Sequence, residues 1–180
     1  MATGRDLVQT EFNNYMTNFD PDRLIYVDYW DEESDNPDVM HWQATLKAPD
    51  GCFYEGGYFK LEIIFPDTYP IDVPKIKFLT KIFHCNVGYD GGICLNILKK
   101  WKTFNPRKSI KETLESICIL LYHQNPDSPR NGEAANLYNN NKKEFKKKCQ
   151  EFVDKYANAN DFGKQEIQGI VSGTNFYYVN

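Results

Sequence analysis

The residue types that could do chemistry are concentrated in residues 83–98. Cys94 follows two glycines, Gly91 and Gly92, whose lack of a Cβ lets the backbone come close to a bulky partner. Four apolar residues can anchor the surroundings of this cysteine: Ile93, Leu95, Ile97 and Leu98. Cys94 is therefore a candidate nucleophile. The alternative is that Cys94 is a small buried hydrophobe, which is the usual fate of a free cysteine.

A histidine in the same segment, His84, suggests a second kind of cysteine chemistry. In cysteine hydrolases an imidazole that lies beside the thiol activates it for attack. A hydrolase also needs a separate residue that orients the imidazole. The settings of the other two histidines, His41 and His123, do not suggest such a site, so this hypothesis has little support in the sequence.

The cysteines as a group indicate free thiols. Their number is odd and they include no CxxC pair: Cys52, Cys85, Cys94, Cys118 and Cys149. A disulfide framework is typical of small secreted scaffolds, and zinc sites usually show close-set pairs of ligands. We therefore expect no metal site and a reducing compartment.

Length and composition exclude several classes of protein. The 180 residues, of which 41% are hydrophobic and 26% charged, fit one globular domain. The longest apolar run, residues 117–122, is far shorter than the roughly 20 residues of a membrane-spanning helix, and the first residues lack a secretory signal pattern. A net charge of -4 disfavours non-specific nucleic-acid binding. We expect a cytoplasmic or nuclear protein with neither a membrane nor a nucleic-acid partner.

The elements that must position the 83–98 segment are predicted from hydrophobic periodicity. Helical spacing over residues 7–19 predicts an N-terminal helix that stops at Asp20 and Pro21. Alternation in residues 42–46, 59–65 and 76–78, with a first strand in 24–30, predicts an antiparallel meander of about four strands. The aperiodic stretch 79–108 is predicted to be a long loop, and loops of that length are usually functional.

Three helices are predicted after the long loop. Ser109 and Glu112 form a capping-box pattern ahead of an apolar face: Ile110, Leu114, Ile117 and Leu121. Residues 125–129 break this central helix, a short helix follows over 132–138, and another follows over 142–156. Cys118 and Cys149 fall on apolar helix faces and are predicted to be core residues.

Taken together, these residues resemble the ubiquitin-conjugating enzymes. His-Cys-Asn-Val at 84–87, followed by Tyr-Asp-Gly-Gly-Ile-Cys-Leu at 89–95, is similar to the active-site signature of that family. Further blocks follow in the family's order: residues 54–59, residues 65–70 with Pro74, Trp101, residues 125–129, Asn131, Ala134, Ala135 and Tyr138. The resemblance covers residues 4–157, and so many ordered blocks are not expected by chance.

The resemblance implies an α+β, UBC-like fold: an N-terminal helix, a four-stranded antiparallel meander sheet, a long active-site loop, then central and C-terminal helices. It implies a catalytic domain over residues 1–157 and a C-terminal extension over 158–180. It also implies that Cys94 accepts ubiquitin or a ubiquitin-like protein as a thioester from an activating enzyme and passes it to a lysine. No bound cofactor is expected, because the activating enzyme consumes the ATP.

Supporting roles near the nucleophile are also implied by the resemblance. Asn86 matches the asparagine that either stabilises the oxyanion or holds the loop, and His84 matches a histidine that supports the loop. The position of Ser128 is often acidic in the family, so Asp127, just before it, is the candidate carboxylate for the incoming lysine, and phosphorylation of Ser128 could supply the charge. Cys85 stands where most members have proline, and we expect it to be structural.

The expected partners are ubiquitin or a ubiquitin-like protein, the activating enzyme, a RING- or HECT-type ligase and lysines of protein substrates. The ligase-docking residues mapped by resemblance are Phe12, Ile71, Trp101 and Phe104, although the sequence at 101–106 is longer than the corresponding stretch usual in the family. Two alternatives stay open: conjugation of a NEDD8-type modifier, and a variant that only binds ubiquitin. The presence of Cys94 argues against the second.

Overall fold

A four-stranded antiparallel sheet forms the centre of the fold, and its strands are neighbours in chain order. The computed structural model describes residues 3–17, 25–31, 34–93 and 109–158. The strands are β1 (Ile25–Tyr29), β2 (His41–Lys47), β3 (Tyr58–Ile64) and β4 (Lys75–Phe78). The predicted meander is therefore confirmed, with a first strand slightly shorter than residues 24–30.

The strand register places the predicted apolar residues in one buried row. Ala44 of β2 lies opposite Val27 of β1 and Leu61 of β3, and Leu61 also lies opposite Phe78 of β4. All four side chains are buried. Because successive side chains of a strand point to opposite faces, a shift by one residue would expose this row to water. The period-two pattern thus fixes which face of the sheet forms the core.

Helices cover this face and carry their own apolar stripes. They are α1 (Gly4–Thr17), α2 (Ile110–Tyr122), α3 (Gly132–Asn140) and α4 (Lys142–Tyr156). The predicted capping box opens α2, since the Ser109 hydroxyl accepts from the Glu112 N–H at 3.3 Å and Glu112 Oε2 accepts from the Ser109 N–H at 3.1 Å. The predicted apolar face of α2 is buried: Ile110, Leu114, Ile117 and Leu121.

One helix end differs from the prediction, and another lies outside the described residues. In the described residues α1 ends at Thr17, and the predicted continuation to residue 19 lies outside the described part of the chain. The short helix α3 continues to Asn140 instead of ending at residue 138, because Asn141 is both the C-cap of α3 and the N-cap of α4. The Asn141 N–H donates to the Leu137 carbonyl, while its side chain accepts from the Glu144 N–H.

The last described residues are tied to the sheet. Ala157 is fully buried, and its carbonyl accepts from the Tyr58 N–H at 2.7 Å. Residues 159–180 lie outside the described part, so the boundary between a catalytic domain and an extension stays a prediction. Across the described residues, the helices lack the length and apolar character that a bilayer crossing requires.

Candidate active site

The part of the long loop that precedes Cys94 folds back onto the end of β4. The Phe78 N–H donates to the Gly91 carbonyl at 2.8 Å, and Gly92 forms an antiparallel bridge with Lys77. Gly91 has a positive φ of 78°, and a Cβ at this position would overlap the Phe78 carbonyl oxygen. The glycine is therefore required by both conformation and space.

His84 is a structural histidine in this arrangement. The side chain is fully buried, its Nε2 donates to the Leu120 carbonyl at 2.9 Å, and its Nδ1 accepts from the Asn86 N–H at 2.9 Å. Burial lowers the pKa of His84 to about 4, although the bond to Leu120 opposes the shift. A neutral imidazole with both nitrogens occupied cannot serve as the base of a cysteine hydrolase.

Asn86 joins two distant parts of the chain, and both N–H groups of its side-chain amide are used. Asn86 Oδ1 accepts from the Asn125 N–H at 2.9 Å. Asn86 Nδ2 donates to the carbonyls of Asn125, at 2.7 Å, and of Ser128, at 3.1 Å. A primary amide has two N–H groups, so both are used here. These bonds hold two segments of the chain together. We call residues 83–87 the first segment and residues 120–131 the second segment.

Both backbone polar groups of Cys85, the N–H and the carbonyl, form hydrogen bonds to the second segment. Its N–H donates to Gln124 Oε1 at 3.0 Å. Its carbonyl accepts from the backbone N–H groups of Arg130, at 2.8 Å, and Asn131, at 3.0 Å. The Cys85 thiol is fully buried, and burial raises its pKa to about 11. Cys85 thus has the structural setting that we expected from the sequence.

The other described cysteines are also poor nucleophiles. All are buried, and burial raises the pKa of Cys118 and of Cys149 to about 12. Burial also raises the pKa of Cys52, which lies in a turn after β2. Because the thiolate is the attacking species, a raised pKa lowers reactivity at neutral pH. Cys94 lies outside the described residues and follows directly on Ile93.

Ile93, the last described residue before Cys94, is fixed from two directions. Its side chain is 3% exposed, and its backbone forms an antiparallel bridge with Val87. Val87 itself follows Asn86 in the first segment. The Val87–Ile93 bridge therefore connects the hydrogen bonds of Asn86 to Ile93, the residue before Cys94.

An exposed rim of charged side chains braces the turn at residues 88–92. Asp90 accepts from the Gly92 N–H at 3.0 Å and pairs with Arg130 at 3.2 Å. The Tyr89 hydroxyl donates to Glu133 at 3.0 Å, and Glu133 pairs with Lys148. These groups are largely solvent-exposed, so each pair contributes little stability by itself.

The residues predicted for the acceptor side lie beside Asn86. Asp127 is exposed, and its N–H donates to Asn125 Oδ1 at 3.2 Å. Ser128 is half-buried and presents its carbonyl to Asn86. Asp127 can therefore meet an incoming group from solvent, while the main chain of Ser128 is part of the hydrogen-bonded contact between the two segments.

The predicted docking residues do not share one environment. Ile71 is 76% exposed and free of the core, whereas Phe12 is 7% exposed. The Phe12 ring stacks on Tyr29 at 4.1 Å and meets Trp42 edge-on, so Phe12 is a core residue and is not available to a ligase. This burial corrects the prediction for Phe12. Trp101 and Phe104 lie outside the described residues.

Sequence reasoning missed Gln124 and the buried Tyr54 hydroxyl as members of this site. Gln124 Nε2 donates to the Tyr54 hydroxyl at 3.2 Å, and this hydroxyl donates to the Phe83 carbonyl at 2.7 Å. A polar residue at the end of the apolar helix α2 was the one available signal. Among the described residues, no group of three or more His, Cys, Asp or Glu side chains is placed to hold a metal ion.

Comparison with known proteins agrees with this fold and loop. The sequence profile described as "Ubiquitin-conjugating enzyme" matches residues 8–153. The chain is 42% identical over 121 residues to "Probable ubiquitin-conjugating enzyme E2 31" of Arabidopsis thaliana, a match that covers 67% of this chain and 77% of the relative. A crystal structure of a candidate ubiquitin conjugating enzyme from Plasmodium yoelii matches with a TM-score of 0.76 and 32% identity, and covers 88% of this chain and 98% of that one.

The chain belongs to the ubiquitin-conjugating enzyme family. Its fold is the α+β UBC fold that the sequence predicted, and membership implies a transferase that works with ubiquitin, an activating enzyme and a ligase. The cysteine hydrolase on another fold is thereby excluded as an account of Cys94 and His84.

Proposed function

We propose that this chain accepts ubiquitin as a thioester on Cys94 and transfers it to a lysine amine of a substrate or to a ligase. The different settings of the five thiols support the proposal. Cys52, Cys85, Cys118 and Cys149 are buried and their pKa values are raised. Cys94 is the remaining thiol, and it follows the fixed residue Ile93.

The first chemical step is an exchange between two thioesters. The Cys94 thiolate attacks the carbonyl carbon that joins ubiquitin's C-terminal glycine to a cysteine of the activating enzyme. A new C–S bond forms, the old C–S bond breaks, and the thiolate of the activating enzyme leaves. Neither this step nor the next requires a cofactor on this chain.

The second step transfers the acyl group to nitrogen. A lysine ammonium first loses a proton to water, and the neutral amine then attacks the thioester carbonyl. The C–N bond forms, the C–S bond breaks, Cys94 leaves as the thiolate, and the second proton of the nitrogen passes to this thiolate or to water. Asp127 is the exposed carboxylate nearest in sequence to the contacts of Asn86, and we assign to it the positioning of the lysine ammonium and the promotion of its deprotonation. A docking surface that includes Ile71, Trp101 and Phe104 would bind the ligase.

The hydrogen bonds of Asn86 support a positioning role over direct stabilisation of an oxyanion. Both Nδ2 hydrogens already reach carbonyl oxygens of the second segment. A direct bond to the developing oxyanion would require one of these bonds to break during the reaction. In our proposal Asn86 instead holds the loop so that Ile93 and Cys94 are correctly placed.

The proposal is tested by whether thiol reagents cleave the ubiquitin adduct. The chain is incubated with activating enzyme, ATP and ubiquitin, and we expect an adduct that thiol reagents cleave. Cys94→Ser should give an adduct that resists thiols, because an oxygen ester replaces the thioester. Cys118→Ser is the matched control and should still form the thiol-sensitive adduct, since its sulfur is buried.

Three results would decide against the proposal. A thiol-sensitive adduct on Cys94→Ser would place the thioester elsewhere. If ubiquitin gives no adduct but a NEDD8-type protein does, the chain conjugates that modifier instead, and if neither gives an adduct the chain is a binding variant.

A further inference from the structure

We infer that Gln124 is a positioning residue for the active-site loop, a role that rests on the proposed function of Cys94. Its side-chain amide is buried between the first and second segments. Oε1 accepts from the Cys85 N–H at 3.0 Å, and Nε2 donates to the Tyr54 hydroxyl at 3.2 Å. The buried Cys85 N–H needs a hydrogen-bond acceptor.

Gln124 provides that acceptor in a single orientation. The Tyr54 hydroxyl gives its proton to the Phe83 carbonyl at 2.7 Å, so it faces Gln124 as an acceptor and requires a donor from the glutamine. A flipped amide would place an NH₂ group against the Cys85 N–H and leave two donors face to face. Tyr54 therefore fixes which end of the Gln124 amide meets the loop.

Gln124 and Asn86 connect the same two segments in opposite directions. The Gln124 side chain reaches from the second segment to the backbone of Cys85 in the first. The Asn86 side chain reaches from the first segment to the backbone of Asn125, the residue after Gln124. Each amide keeps the other's backbone partner in place, so loss of Gln124 should weaken the bonds of Asn86.

The decisive experiment separates this role from general stability. We compare Gln124→Met, which has a similar shape but no amide, with the parent chain in single-turnover discharge of the Cys94 thioester to lysine. We expect the rate constant at saturating lysine to fall about tenfold, equivalent to about 1.4 kcal/mol. The lysine concentration at half-maximal rate should change less than about twofold, because Gln124 does not contact the amine.

A second experiment, in the Cys85→Pro variant, tests directly whether Gln124 acts by accepting from the Cys85 N–H. Proline has no N–H, so Cys85→Pro removes the donor that Gln124 satisfies. In that background Gln124→Met should slow discharge less than about threefold, because no buried donor is left unpaired. Equal losses in the two backgrounds would overturn the inference. The matched control is Gln150→Met, whose side chain bonds the Phe53 carbonyl and which should discharge at the parent rate.

If Cys85→Pro does not fold, Tyr54→Phe takes its place. It removes the hydroxyl that orients Gln124, so combining it with Gln124→Met should cost no more than the worse single variant. Full additivity of the two losses would overturn the inference.

Hydrogen exchange keeps this inference distinguishable from the proposed function. Gln124→Met should reduce the protection of the Asn125 amide at least about tenfold, while the amides of β2 stay protected. This result can be obtained even if the chain forms no thioester, in which case only the function of Cys94 fails. Unchanged protection of the Asn125 amide would overturn the role of Gln124.

Discussion

The sheet and the active-site loop are ordered by different forces. In the sheet, buried apolar rows such as Ala44, Leu61 and Phe78 are aligned by strand register. In the loop, residues 83–87 are held against residues 120–131 by two side-chain amides, a histidine and main-chain groups. The sheet depends on the amount of apolar area, whereas the loop depends on individual donors and acceptors.

This difference has an energetic consequence. Burial of apolar area is non-directional, and a buried side chain in the sheet can be replaced by another of similar volume at modest cost. A hydrogen bond in the loop has fixed geometry, and loss of one partner leaves the other unpaired. Substitutions in the sheet should therefore affect mainly global stability, and substitutions in the loop should affect mainly the chemistry.

The largest loss of stability is expected in the sheet. Ile63 is fully buried in β3, while its neighbour Ile64 is 41% exposed. Ile63→Ala should lower the free energy of unfolding by about 4 kcal/mol, through lost burial and the cavity left behind. Ile64→Ala, the matched control, should lower it by less than about 1 kcal/mol. Urea denaturation measures both.

The same pair checks the separation of stability from chemistry. Under conditions where Ile63→Ala remains folded, its thioester should discharge to lysine within about twofold of the parent rate, a difference below about 0.5 kcal/mol. A discharge rate that falls in step with stability would remove the distinction between the two regions.

Acid should weaken the loop through His84. The pKa of His84 is about 4 in the fold, because of burial, and near 6.5 in the unfolded chain. Between these values the unfolded chain binds the extra proton, so stability falls as pH falls from about 6.5 to 4 and levels off below. The full loss is about 3 kcal/mol.

Denaturation as a function of pH measures this loss, with His84→Gln and the exposed His123→Gln as a matched pair. His84→Gln should flatten the profile between pH 6.5 and 4.5 and His123→Gln should keep the parent slope. If both variants keep the parent slope, His84 is not the buried neutral group described here.

Asn86→Ala should have a smaller effect on stability and a clear effect on the reaction. It removes three hydrogen bonds between the segments, for a loss of about 2 kcal/mol, because the carbonyls it leaves are partly accessible to water. The thioester should still form, and discharge to lysine should slow at least about tenfold. Asn140→Ala, in an exposed turn of α3, is the matched control for both measurements.

A defect in loading alone, with normal discharge of the thioester that does form, would contradict this assignment of Asn86. Asn86 would then be needed only for the encounter with the activating enzyme, and the amide contacts would have no part in transfer to lysine.

The sheet could be predicted from the sequence because its order is periodic. Alternation at residues 42–46 and 59–65 identified strands and buried face together, and the pattern of Ser109 and Glu112 located the start of α2. These signals are local, since residues two, three or four positions apart create them.

The loop contacts could not be predicted in the same way. Asn86 meets Asn125 and Ser128 across 39 and 42 positions, and no period relates such partners. The resemblance supplied the identity of Asn86 but not its bonds, and it placed Phe12 on a docking surface although the apolar stripe of α1 buries this ring. Gln124 had only a weak signal, because a single buried amide resembles any polar residue after a helix, and no sequence pattern relates Tyr54 to Gln124.

Whether Cys94 is the one reactive thiol of the five can be tested on the chain alone. A short pulse of iodoacetamide at pH 8 is followed by quantification of each cysteine-containing peptide by mass spectrometry. A pKa of about 11 gives Cys85 a thiolate fraction on the order of one hundredth of that of an ordinary thiol. The proposed role of Cys94 as the nucleophile requires alkylation of Cys94 at least about tenfold faster than of any other cysteine. Equal or faster labelling of Cys52, Cys85, Cys118 or Cys149 would contradict it.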